Sequence, residues 1–247
     1  MKRKLLINII IFFIILIIVV LGFLIYVAKE KYLLFVLGAL VLCFPFIYRF
    51  EKKMIKTEEI VLISVITAIT VVGRLVFAVL PGSPVTAILI FAAGFFGKET
   101  GFIIGVLTTL LSNLFLGHGP WTAFQMAAWG LIGFLSGFFR PMLFPKEKVQ
   151  TDRIDYPIYL LRKERRNLLI LSVWGLLSGI LFSLLMDIST VYFIYKKFIW
   201  KHYLAVVTVA LPVTLEYMVT NVIFVVTFYQ PMVTIFSRIR DKYGIGI

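Results

Sequence analysis

The chain has 247 residues, 61% of them hydrophobic, and at roughly 20 residues per bilayer crossing this is material for seven or eight transmembrane helices, which excludes a water-soluble fold. Twenty-five lysines and arginines stand against 12 acidic residues, and because charge is expensive in hydrocarbon they must occupy the short segments between spans. No hydrophilic region is large enough for a nucleic-acid-binding domain, so the basic surface meets anionic lipid headgroups and sets topology.

Eight apolar runs follow in chain order. The first, Leu5 to Val27, comes after the basic Met1-Lys2-Arg3-Lys4 and imitates a signal peptide. It is longer than 20 residues and lacks a small-x-small cleavage site, so it reads as a retained anchor. The second run is Tyr32 to Tyr48 and holds Cys43, the only cysteine, which excludes an intrachain disulfide. A charged stretch from Arg49 to Glu59 follows, and Glu58 and Glu59 suit a helix start, where negative charge meets the dipole. The third run is Ile60 to Leu80. The fourth, Val85 to Phe96, is short for a crossing and follows the Pro81-Gly82-Ser83-Pro84 turn, so it is tilted, partly buried or begins within the membrane. The fifth is Gly101 to Leu116 and the sixth Ala123 to Phe139, joined by Gly117-His118-Gly119-Pro120. The seventh is Leu168 to Leu185. The eighth, Leu204 to Tyr229, is long and carries Pro212, which removes a backbone donor and predicts a kink.

With the N-terminus in the cytoplasm, 19 of the 25 cations fall on the cytoplasmic side, eight of them between Arg140 and Arg166. The positive-inside rule therefore predicts eight spans with both termini cytoplasmic in the cell membrane. The expected fold is an all-α membrane protein with two extra N-terminal transmembrane helices before a six-helix bundle. Residues 1–58 form an anchor and basic linker, and residues 59–247 form the membrane domain in which polar residues enter the spans.

Ionisable residues inside a span are functional candidates by default. Arg74 in the third run and Glu216 in the eighth are the two that stand out, either as a structural ion pair or as groups facing a ligand. In the sixth, Trp121, Gln125 and Trp129 recur every four residues and share one helix face. Two aromatic faces flanking an amide suit a planar organic molecule with a polar edge, although Trp121 taken alone fits an interfacial aromatic better. Asn113 and Asn221 are further intramembrane amides that either bridge helices or join the site. Small residues four apart, Ser64 and Ala68, Gly101 and Gly105, Gly133 and Gly137, Gly175 and Gly179, permit close helix approach. Ser64 and Ala68 lie near the start of their helix and can also serve a partner subunit.

His118 has no metal-ligand cluster beside it, so no metal site is expected. A phosphate loop, an H-E-x-x-H pair and a G-x-S-x-G elbow are all missing from the sequence, which argues against an ATPase, a metalloprotease and a serine hydrolase. No cofactor is implied. The function classes left are a small-molecule carrier and a membrane scaffold or regulatory protein without a ligand.

The segment from Val72 to Gly137 carries Gly73-Arg74, Pro84-Val85-Thr86-Ala87, Glu99-Thr100-Gly101-Phe102, Ser112-Asn113, Gly119-Pro120-Trp121-Thr122, Phe124-Gln125-Met126 and Gly130-Leu131-Ile132-Gly133-Phe134. It resembles the substrate-binding S component of energy-coupling factor (ECF) vitamin transporters, and Asn221 with the apolar run after it resembles that family's last helix. Within the family the similarity is greatest to the branch of cobalamin carriers, while carriers of riboflavin, pyridoxine and other vitamins share the six-helix body. The resemblance implies a vitamin bound from outside and delivered by toppling against an ECF transmembrane coupling subunit driven by two ATPase subunits. It also implies docking through a helix with two alanines four apart, for which this chain offers Ser64 and Ala68. The implied substrate site comprises Arg74, Asn113, Trp121, Gln125, Trp129, Glu216 and Asn221.

Overall fold

A computed structural model describes residues 57–80, 82–143 and 156–243. Helix α1 runs over Thr57–Val76 and ends in a 3-10 turn at Phe77–Val79; α2 is Val85–Phe96, α3 Lys98–Leu116 and α4 Trp121–Ser136. A second 3-10 turn, Gly137–Phe139, leads into the four-residue α5, Arg140–Leu143. Two long helices complete the chain, α6 over Tyr156–Tyr195 and α7 over Trp200–Tyr243. No strand occurs among the described residues. The loops around Gly82, Gly117–Pro120 and Lys196–Ile199 share one end of the bundle, here the upper end. Gly97, Arg140 and the cations from Arg162 to Arg166 lie toward the lower end.

Five of these helices are long and apolar enough to cross a membrane: Thr57–Val79, Lys98–Leu116, Trp121–Leu143, Arg162–Tyr195 and Trp200–Tyr243. The described residues thus form a multi-pass all-α membrane protein, but they do not carry eight spans. The first two predicted spans, Leu5 to Val27 and Tyr32 to Tyr48, lie outside the described residues.

The remaining short run, α2, explains the rest of the difference. All twelve of its residues are buried, and it packs against α1, α3, α4, α6 and α7. A helix that is apolar all round belongs at the centre of a bundle. At about 18 Å it is shorter than the hydrocarbon core, which it has no need to span when its neighbours surround it. Gly97, at φ 107°, then turns the chain directly into α3.

At 40 and 44 residues, α6 and α7 reach about 60 and 66 Å, roughly twice the thickness of the hydrocarbon core. The predicted seventh span, Leu168 to Leu185, is therefore the middle of a helix that continues to Tyr195. The stretch from Arg140 to Asn167, expected as a loop, is helical from Tyr156 onward and carries Arg162, Lys163, Arg165 and Arg166 on the extension. Helix α7 runs on through both Pro212 and Pro231.

Two packing devices hold the bundle. Glycines let α3 and α4 touch: a Cβ at Gly101 would lie 2.6 Å from the Gly133 carbonyl oxygen, and one at Gly105 2.5 Å from that of Trp129. In the lower half, aromatic rings interlock between α2 and α7. Phe236 meets Phe96 at 5.0 Å and Phe95 at 5.6 Å, and Tyr229 meets Phe91 at 6.2 Å, all edge-on. Glu59 has a further role beyond its place in the first turn of α1. It is buried and accepts a hydrogen bond from Thr100 Oγ1 at 3.3 Å, tying α1 to α3 at the lower end.

Candidate substrate site

Arg74 reaches the upper half of the bundle from the last turn of α1. Its Nη1 donates to Asn113 Oδ1 at 2.8 Å and, more closely, to Ser112 Oγ, both on α3. Asn113 is buried and passes the interaction on: its Nδ2 donates to Gln125 Oε1 at 2.9 Å and to Thr122 Oγ1 at 3.0 Å, on α4. Thr122 Oγ1 also accepts from the Gly119 N–H at 3.1 Å, so the Gly117–Pro120 loop is pinned to the same relay. An amide has separate donor and acceptor ends, and Asn113 uses both, which fixes its orientation and that of Gln125.

The guanidinium lies 4.6 Å from the centroid of the Trp129 ring, a cation–π arrangement. Trp129 is stacked on Phe182 of α6 at 4.9 Å, and Phe182 meets Tyr217 of α7 edge-on at 5.2 Å. A row of aromatic faces thus crosses the bundle from Arg74 to α7. Arg74 and Gln125 are partly exposed at its near end.

The structure brings Arg74, Asn113, Gln125 and Trp129 together and places the other predicted residues apart. Trp121 is 36% exposed and touches Phe193 at 6.1 Å, at the upper rim. Glu216 does not meet Arg74; its Oε1 accepts the Gly82 N–H at 2.8 Å and holds the loop between α1 and α2. That loop sits so close to α7 that a Cβ at Gly82, whose φ is 83°, would lie 2.5 Å from Thr220 Cβ. Asn221 is buried and donates to the Gly175 carbonyl at 3.1 Å, bridging α7 to α6. Ser64 and Ala68 lie on the exposed face of α1 with Val61, Val65, Ile69 and Val72, each half or more exposed.

Sequence reasoning did not assign Ser112, Thr122, Phe182, Tyr217 or the buried Asp187 to the site. Ser112 and Thr122 adjoin predicted residues and follow from helix geometry. Phe182 and Tyr217 carry no signal inside apolar runs. Asp187 falls two residues beyond the predicted end of its span at Leu185, which is why it escaped the search for intramembrane charges.

A family model described as "ECF-type riboflavin transporter, S component" matches residues 54–233. The chain belongs to this family. As an S component it is a substrate-binding subunit of a transporter. The expected cobalamin-type branch is corrected by this match, which is to the riboflavin type. The motifs between Val72 and Gly137 build the shared six-helix body, so they carried the family and not the ligand. No curated protein and no solved structure matches the chain significantly.

Proposed function

We propose that this S component captures riboflavin, or a flavin close to it, in the upper half of the bundle and presents it to an ECF module. The observation that carries the reading is the Arg74–Asn113–Gln125 relay set beside the Trp129–Phe182 stack. A flavin ring is planar and aromatic, with carbonyl oxygens and an imide N–H along one edge. The aromatic row gives the ring an apolar flank, while Arg74 can donate to the carbonyls and the Gln125 amide can read the neighbouring edge. The riboflavin-type family match supports the same ligand. The upper end faces outward in the topology that places most cations in the cytoplasm, with both termini inside, and residues 1–58 serve as a separate anchor.

The exposed face of α1 is the docking surface for the transmembrane coupling subunit, with ATP hydrolysis left to two ATPase subunits. Ser64 supports this role despite its hydroxyl, because Ser64 Oγ donates to the Ile60 carbonyl of its own helix at 3.0 Å. What Ser64 and Ala68 then present is a small, nearly apolar surface that lets another helix approach closely.

Mass spectrometry of small molecules released from the purified full chain tests the ligand. Riboflavin or a related flavin at about one per chain is expected, and a chain that neither carries nor rebinds a flavin would leave a different cargo in its place. For docking, Ala68→Trp should abolish copurification of the coupling subunit while flavin affinity is unchanged.

A further inference from the structure

The flavin reading accounts for a ring but leaves the rest of riboflavin, its polyhydroxylated side chain, without partners. The unexplained polar group nearest the aromatic row is Asp187. It lies within the membrane-spanning part of α6, is only 5% exposed, and its Oδ2 has no hydrogen-bond partner. Buried carboxylates are normally hydrogen-bonded, and an unpaired one inside a membrane span is costly.

Its surroundings are rich in hydroxyls. One turn below, Ser183 Oγ and Thr214 Oγ1 share a hydrogen bond of 2.6 Å between α6 and α7. Tyr203 and Tyr217 lie within electrostatic reach of the carboxylate, and Tyr203 OH donates to the Leu184 carbonyl at 3.2 Å. Tyr217 is also the last ring of the row Trp129–Phe182–Tyr217. Asp187 and the row that starts at Arg74 thus have Tyr217 as a common neighbour. Arg74 directs Nη1 to Ser112 and Asn113 on α3 and not to Asp187. Among the described residues no cluster of three metal-ligating side chains exists, which disfavours a cation held by the protein as its partner.

The oxygens of a carboxyl group accept hydrogen bonds, and the two of Asp187 can take several donors at once. Neighbouring hydroxyls on a flexible chain are donors of that kind. We propose that Asp187 is a specificity-determining residue that accepts hydrogen bonds from the polyhydroxylated side chain of the cargo, while the Arg74 relay and Trp129 hold its ring. The cargo is then a planar heterocycle with carbonyls at one end and a polyol at the other. This proposal rests on the flavin reading.

The test compares riboflavin with lumiflavin, the same ring with a methyl group in place of the side chain, by equilibrium titration of the purified full chain and of Asp187→Asn and Asp187→Ala. Loss of a hydrogen bond to a charged group predicts riboflavin affinity about 30-fold weaker in Asp187→Ala, with a smaller loss in Asp187→Asn, which keeps one acceptor. Lumiflavin affinity should stay within about twofold in both variants, which also reports that the ring site is intact. Should Asp187→Ala fail to fold, the isosteric Asp187→Asn decides. Equal weakening of the two flavins, or no change in either, would overturn the proposal. Equal affinity of the unsubstituted chain for riboflavin and lumiflavin would overturn it while the flavin reading stands. Binding of neither flavin by that chain would remove the reading and the proposal together.

Discussion

The upper and lower halves of the bundle are built from the same six membrane-embedded helices but solve opposite problems. Above, Arg74, Ser112, Asn113, Thr122 and Gln125 form a connected polar relay against the Trp129–Phe182 stack, and Asp187 lies buried on α6. Below, Phe91, Phe95, Phe96, Tyr229 and Phe236 interlock edge-on between α2 and α7. Polar groups inside a membrane are expensive and so are arranged for a purpose, whereas interlocked rings are the economical way to fill space. On the proposed function this is a division of labour along one axis, in which the upper half recognises and the lower half seals.

That comparison can be broken in three places. The largest effect should come from Phe236→Ala, which empties the centre of the seal. A loss of about 4 kcal/mol in stability is expected from the cavity, seen as a lower melting temperature in detergent, with flavin affinity within about twofold. Next is Arg74→Ala, which removes the charge, the contact with Trp129 and the donor that orients Asn113. Riboflavin affinity should fall about 100-fold, or nearly 3 kcal/mol, in an equilibrium titration. The smallest is Gln125→Ala. It deletes one neutral hydrogen-bonding side chain and should weaken affinity about fivefold, or about 1 kcal/mol, by the same measurement. An affinity loss in Phe236→Ala matching that of Arg74→Ala would erase the distinction between the halves.

Much of this arrangement was legible in the residues. The break between featureless apolar runs and a body rich in glycine, amides and tryptophan places the polar machinery after residue 59. The four-residue spacing of Gln125 and Trp129 was sufficient to put them on one face of α4, and Arg74 stood out as a charge within a span. The shortness of Val85 to Phe96 was visible, but its central position was not, because composition cannot say which neighbours surround a helix. Glu216 and Asn221 looked like site residues because intramembrane polarity has two uses. The structure has them holding Gly82 and Gly175, contacts that join positions far apart in the chain. Asp187 was hidden by a boundary: hydropathy ends a span where apolar residues thin out, while the helix itself continues another ten residues to Tyr195. The choice between cobalamin and riboflavin type failed for a different reason, since the motifs that mark the family lie in the shared body.

The most direct test of the central claim is the riboflavin affinity of Arg74→Ala measured beside that of Phe236→Ala, in the full chain and under one set of conditions. The account predicts a roughly 100-fold loss for the first and less than about a twofold change for the second. Equal losses, or an unaltered affinity in Arg74→Ala, would contradict it.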